Sequence, residues 1–143
     1  MKNKYFGECH CKSIRFEFYC RKDVSIVKCN CSICSITNFL HLIIPHKDFI
    51  LLRGKEHLHT YQFNQNIAKH FFCKICGIKS FYQPRSHKNC FSINYNSVIN
   101  PPKIKRPTSW SRASRGPHIC SLGCACRLDL KTVSDSKLFS RGT

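Results

Sequence analysis

The sequence predicts a small, mainly β domain with an irregular basic tail behind it, and three observations carry the prediction. Short segments alternate between apolar and polar residues with a period of two, the mark of half-buried strands. Seven of the twelve cysteines fall in three tight clusters, Cys9/Cys11, Cys29/Cys31/Cys34 and Cys73/Cys76. After residue 100 the alternation stops, and Pro, Ser, Gly, Lys and Arg are scattered without period. The 143 residues suffice for one domain with a modest core.

In chain order, "SIRFEFY" places Ile14, Phe16 and Phe18 on one face and Arg15, Glu17 and Tyr19 on the other. Only the segment after Cys31 suits a helix, and a short one. "FLHLIIP" is a brief apolar strand stopped by Pro45. "KDFILLRGKEHL" gives a strand, a turn at Gly54, then a link. "HLHTYQF" alternates again, and "IKSFYQP" and "FSINYNSV" are rich in aromatic and β-branched residues. Residues 5–98 form the domain in this reading. Residues 99–143, with nine Lys or Arg against two Asp from 101 onward, form a disordered or divergent tail.

Twelve cysteines in so short a chain mean either a disulfide framework or metal thiolates. The start, "MKNKYFGECHCKSIRF", has no apolar run of signal-peptide length, and no segment approaches the roughly 18 apolar residues of a membrane helix. The expectation is a reducing, intracellular setting, cytoplasm and/or nucleus, without membrane insertion. Close C-x-C and C-x-x-C pairs also suit a metal better than disulfides, because both thiolates must reach one ion at about 2.3 Å. A C-x-C on a strand aims two sulfurs at one point, and Gly77 can close the turn in "FCKICG".

The clusters hold two, three and two cysteines. If none is split, a four-thiolate site comes from Cys9, Cys11, Cys73 and Cys76, a closed structural zinc. Cys29, Cys31 and Cys34 then remain as three ligands with a fourth position open, the pattern of a catalytic zinc. Cys20 or Cys90 closing that second site is the alternative, and spacing leaves it open. Cys120, Cys124 and Cys126 echo the first cluster but lack a partner cluster and strand flanks, so no third site is expected. His10, His41, His46, His57, His59 and His70 follow no paired metal spacing and read as ordinary surface or core residues.

"GECHCKSIRFE", "CNCSIC", "LLRGKEHLHTYQFN", "AKHFFCKICGIKSFYQPRS" and "FSIN" resemble successive motifs of the CENP-V/GFA family. That family holds centromere protein V and the glutathione-dependent formaldehyde-activating enzymes. "TYQFN", "AKHFFCKICG" and "SFYQPRS" are closer to the centromere protein V branch. The likeness covers about residues 5–94 and implies an Mss4-like β fold with two zincs, partitioned as above. It also implies carbon–sulfur lyase chemistry that interconverts S-hydroxymethylglutathione with glutathione and formaldehyde. Lys12 stands where the family commonly has Gly, and the sequence beyond Asn94 shows no family likeness.

The formal charge is +17, with fifteen basic and five acidic side chains in residues 1–100. Such a surface attracts polyanions, and the resemblance implies chromatin/DNA or microtubules as partners. Two functions from different classes therefore compete. One is a zinc enzyme whose partner is glutathione or another small thiol. The other is a non-catalytic, zinc-stabilised binding module for chromatin or microtubules.

Overall fold

A computed structural model describes the backbone of residues 1–111 and the side chains of residues 1–105. The strands are β1 (Asn3–Glu8), β2 (Arg15–Cys20), β3 (Asp23–Cys29), β4 (Leu40–Pro45), β5 (Phe49–Arg53), β6 (Leu58–Tyr61), β7 (Lys69–Cys73), β8 (Phe81–Gln83), β9 (Cys90–Asn94), β10 (Val98–Ile99) and β11 (Lys103–Ser111). One α-helix, α1 (Ser32–Ile36), follows Cys31. The fold is mainly β and largely antiparallel, as the sequence predicts. Among the described residues no helix is long and apolar enough to cross a membrane.

The strands form two sheets. A four-stranded sheet runs β10-β1-β2-β5, and a seven-stranded sheet runs β11-β3-β4-β9-β8-β7-β6. The period-two segments explain why the sheets stack. Ile14, Phe16 and Phe18 are all buried, as their shared face predicts. They join Val24, Ile26, Leu42, Ile44, Phe81, Ile93 and Val98 in one core drawn from both sheets. Aromatic rings interlock at its centre. Phe16 lies 5.2 Å from Phe49 and meets Phe81 edge-on at 5.3 Å.

The seven-stranded sheet has a second buried face. Leu42 and Ile44 of β4 point into the main core, while His41 and Ile43 point the other way. Phe81 and Tyr82 of β8 divide in the same manner. A smaller cluster of Cys29, Cys31, Cys34, Phe39 and Tyr82 therefore sits on the far side. This is why "LHLIIP" is apolar on both faces instead of alternating.

Gly54 takes φ +90°, and a Cβ there would lie 2.3 Å from the Ser13 carbonyl oxygen, so the predicted turn has no room for a side chain.

Two features differ from the sequence reading. The Cys9–Cys11 pair lies in a turn after β1, not on a strand. Lys12, in the place where the family commonly has Gly, takes φ +62° to make that turn, a conformation glycine adopts without strain. The sheets also continue past residue 98. β10 pairs with β1, and β11 pairs in parallel with β3, from Lys103 opposite Asp23 to Ser111 opposite Cys29. Pairing on the free edge of β3 holds a segment whose own sequence does not alternate. Pro107 is tolerated there because the register shifts between Arg106 and Ser109. Cys120, Cys124 and Cys126 lie outside the described residues.

Candidate metal centres

Two turns build the first centre, and they use the same backbone device. The amide of Cys9 donates to the Ile14 carbonyl at 3.1 Å, and that of Cys73 donates to the Ile78 carbonyl at 3.0 Å. Each six-residue closure folds its second cysteine back beside its first. Gly77, at φ +73°, completes the second turn by donating to the Cys73 carbonyl at 2.8 Å. The sulfurs of Cys9, Cys11, Cys73 and Cys76 all lie within 4.8 Å of one another. Cys9 Sγ is 3.5 Å from Cys11 Sγ, which is 3.6 Å from Cys73 Sγ. A disulfide needs about 2.05 Å. Four thiolates around one zinc, each at about 2.3 Å, stand about 3.8 Å apart. The spacing fits a metal tetrahedron.

The electrostatics fit as well. Burial pushes the Cys9 thiol up to about 12, whereas Ser13, with Oγ 3.3 Å from Cys11 Sγ, holds Cys11 down to about 6. Burial opposes ionisation of Cys76, but the amides of Cys11 and Ile78 outweigh it and lower its pKa. Thiolates this crowded repel one another, and a divalent cation removes the conflict.

The second centre lies on the far face of the seven-stranded sheet. Cys29 ends β3, and Cys31 precedes α1. The Cys31 carbonyl accepts from the Ser35 amide at 2.9 Å and from Ser35 Oγ at 2.8 Å, which winds the helix and turns Cys34 back over Cys29. The ligand atoms of Cys29, Cys34 and His41 lie within 4.8 Å of one another, and all three residues are buried. Cys31 is wholly buried beside them, its amide donating to Cys29 Sγ at 3.4 Å, but it is not one of the three donors that converge this closely.

His41 is the residue that sequence reasoning passed over. The signal lies in strand register. Val27 opposes His41 across β3 and β4, so Cys29 and His41 are diagonal neighbours on one face. Cys20 and Cys90 belong to neither donor group. Cys20 instead packs in the main core, where burial raises its thiol to about 11.

Lys79 is a second buried polar residue near this centre. It is 3% exposed, with Nζ 3.3 Å from His70 Nδ1. Its Nζ also sits 4.6 Å from the Phe39 ring centroid and 4.9 Å from that of Tyr82. Phe39 and Tyr82 are the rings that pack against His41.

A family model described as glutathione-dependent formaldehyde-activating enzyme (GFA) matches residues 4–112. The chain belongs to the GFA family. The match runs beyond the end of the likeness at residue 94 and takes in β10 and β11, so this GFA chain uses the segment after Asn94 within the family domain. Among solved structures, the GFA chain is similar to a Rhodobacter sphaeroides protein, with 29% identity and a TM-score of 0.63. The similarity covers 73% of this chain and 98% of that one.

Proposed function

We propose that this GFA chain is a two-zinc carbon–sulfur lyase of the centromere protein V branch, with an Mss4-like fold, acting on a glutathione adduct. The supporting observation is the convergence of buried Cys29 and Cys34 donors on one face of a domain that the GFA model spans from residue 4 to 112. Cys9, Cys11, Cys73 and Cys76 hold a structural zinc between the sheets. Cys29, Cys31 and Cys34 hold the second, and a thiol substrate enters there.

In the reaction the C–S bond of S-hydroxymethylglutathione breaks. Its electron pair stays on sulfur, and the hydroxyl proton leaves as the C=O bond of formaldehyde forms. The reverse direction makes the same bond. Zinc bound at this centre supplies a Lewis acid that lowers the pKa of the thiol and steadies its sulfur. Phe39 and Tyr82 limit water around the thiolates. Lys79 packs its Nζ on the same two rings.

Zinc-loaded protein should contain two zincs per chain, and added glutathione should raise the number of Zn–S contacts near 2.3 Å seen by X-ray absorption. Cys29→Ser should lose about one zinc and the glutathione response while keeping its β circular dichroism. A wild-type spectrum indifferent to glutathione would exclude the lyase reading.

A second reading, binding to an acidic polymer such as DNA or the microtubule surface, rests on charge placement. β11 brings exposed Lys103 and Lys105 to the edge of β3, next to exposed Arg21 and Lys22. One acid lies on the same edge, exposed Asp23 opposite Lys103, so the four cations leave a net positive patch. Binding through this edge should weaken steeply as salt rises, because it depends on counterion release. A Lys22→Glu/Lys103→Glu variant should bind several-fold more weakly at low salt. Salt-independent binding, or an unchanged affinity in that variant, counts against the reading.

A further inference from the structure

We infer that His41 is a ligand of the second metal, through Nε2, so that this centre has a mixed sulfur and nitrogen donor set in place of thiolates alone. The inference rests on the proposal that Cys29, Cys31 and Cys34 bind a metal, and it adds a residue which neither the cysteine spacing nor the GFA resemblance points to.

Three independent features converge on this residue. First, His41 has a ligand atom within 4.8 Å of both Cys29 Sγ and Cys34 Sγ. Second, His41 Nε2 is buried and has no hydrogen-bond partner, in a residue that is 0% exposed. A buried imidazole nitrogen without a partner is costly, and a metal bond removes that cost. Third, the opposite nitrogen is already committed. Nδ1 lies 2.9 Å from Ser92 Oγ, with the Tyr82 hydroxyl at 3.4 Å. With Nδ1 engaged by Ser92, Nε2 is the nitrogen left for a metal, the arrangement general among metal-bound histidines. Ser92 is itself wholly buried. Strand pairing fixes the arrangement, because His41 opposes Asn94 and Ile43 opposes Ser92 across β4 and β9.

The charge consequence distinguishes this set from one closed by Cys20 or Cys90. Four thiolates on a divalent ion would carry a net charge of −2, whereas Cys29, Cys34 and a neutral imidazole would leave it neutral, and −1 once Cys31 joins them. The less negative centre is the stronger Lewis acid.

X-ray absorption on zinc-loaded wild-type protein tests this directly. A nitrogen contact near 2.0–2.1 Å with the outer-shell scattering of an imidazole ring should accompany the sulfur contacts. His41→Cys should remove that signature, raise the sulfur count and keep two zincs. Ser92→Ala leaves every ligand in place and should weaken the second zinc by about tenfold to hundredfold in competition with a chelator. A wild-type spectrum of sulfur contacts alone, or an imidazole signature that survives His41→Cys, overturns the inference. The wild-type spectrum decides even if a variant fails to fold. A spectrum with the imidazole signature but no response to glutathione supports the ligand and defeats the lyase reading instead. Sulfur-only contacts that do respond to glutathione have the opposite meaning.

Discussion

Cys73→Ser should fail to accumulate as soluble, folded protein. Cys73 ends β7, is 2% exposed, and packs with Cys9 inside the main core. Its sulfur lies 3.6 Å from that of Cys11, a residue 62 positions earlier. The four-cysteine centre thus joins the turn after β1, in the small sheet, to the end of β7, in the large one. A serine hydroxyl is a poor zinc ligand and leaves three crowded sulfurs with an incomplete tetrahedron. Structural zinc in small domains contributes on the order of 10 kcal/mol, and the energy appears only on folding. Whole domains are stable by about 5–15 kcal/mol, so losing the clamp removes most of the margin. The measurement is soluble yield, zinc content and thermal melting against wild type. A Cys73→Ser protein that melts normally with full zinc content rules out the structural role.

The contrast between the centres follows from where each sits. The first lies where the two sheets meet. The second lies on the outer face of one sheet, within its own cluster of Phe39 and Tyr82. Emptying the second site therefore leaves the main core untouched, which is why Cys29→Ser is expected to remain folded.

The tight cysteine pairs were legible in the sequence because they are local. Two thiols two or three residues apart restrict their own backbone, whatever the rest of the chain does. The buried face of β2 was legible for the same reason, since Ile14, Phe16 and Phe18 carry a period of two within one strand. His41 was not legible as a donor. Its place beside Cys29 depends on the pairing of β3 with β4, and its orientation depends on Ser92 of β9, so no nearby spacing announces it. β11 was hidden for a related reason. Its residues show no alternation, and its partner is an unpaired edge more than seventy residues earlier. The Cys9–Cys11 turn was misjudged as strand because Lys12 does not look like a left-handed residue, although its φ of +62° makes it one.

Phe16→Ala should cost about 3–5 kcal/mol, and its effect should be coupled to Gly7. Phe16 is wholly buried, with its ring 5.2 Å from Phe49, 5.3 Å from Phe81 and 6.3 Å from Phe18. The ring also lies across Gly7 of β1, where an added Cβ would come within 2.3 Å of Phe16 Cζ. Gly7 and Phe16 are cross-strand partners in the small sheet. The missing side chain at Gly7 is therefore what gives the phenyl ring its space. Removing the ring leaves a cavity whose rim includes a glycine that cannot fill it. Gly7→Ala alone forces the ring out of place, an overpacking penalty of about 1–3 kcal/mol. In the Phe16→Ala background that clash is gone, and the new methyl partly fills the void. The two substitutions should consequently be non-additive, with the double variant more stable than the sum of the single costs predicts. Denaturant unfolding of the four proteins at one fixed zinc concentration measures the coupling. Additive costs would show that the ring can leave Gly7 freely, which is incompatible with close packing of β1 against β2.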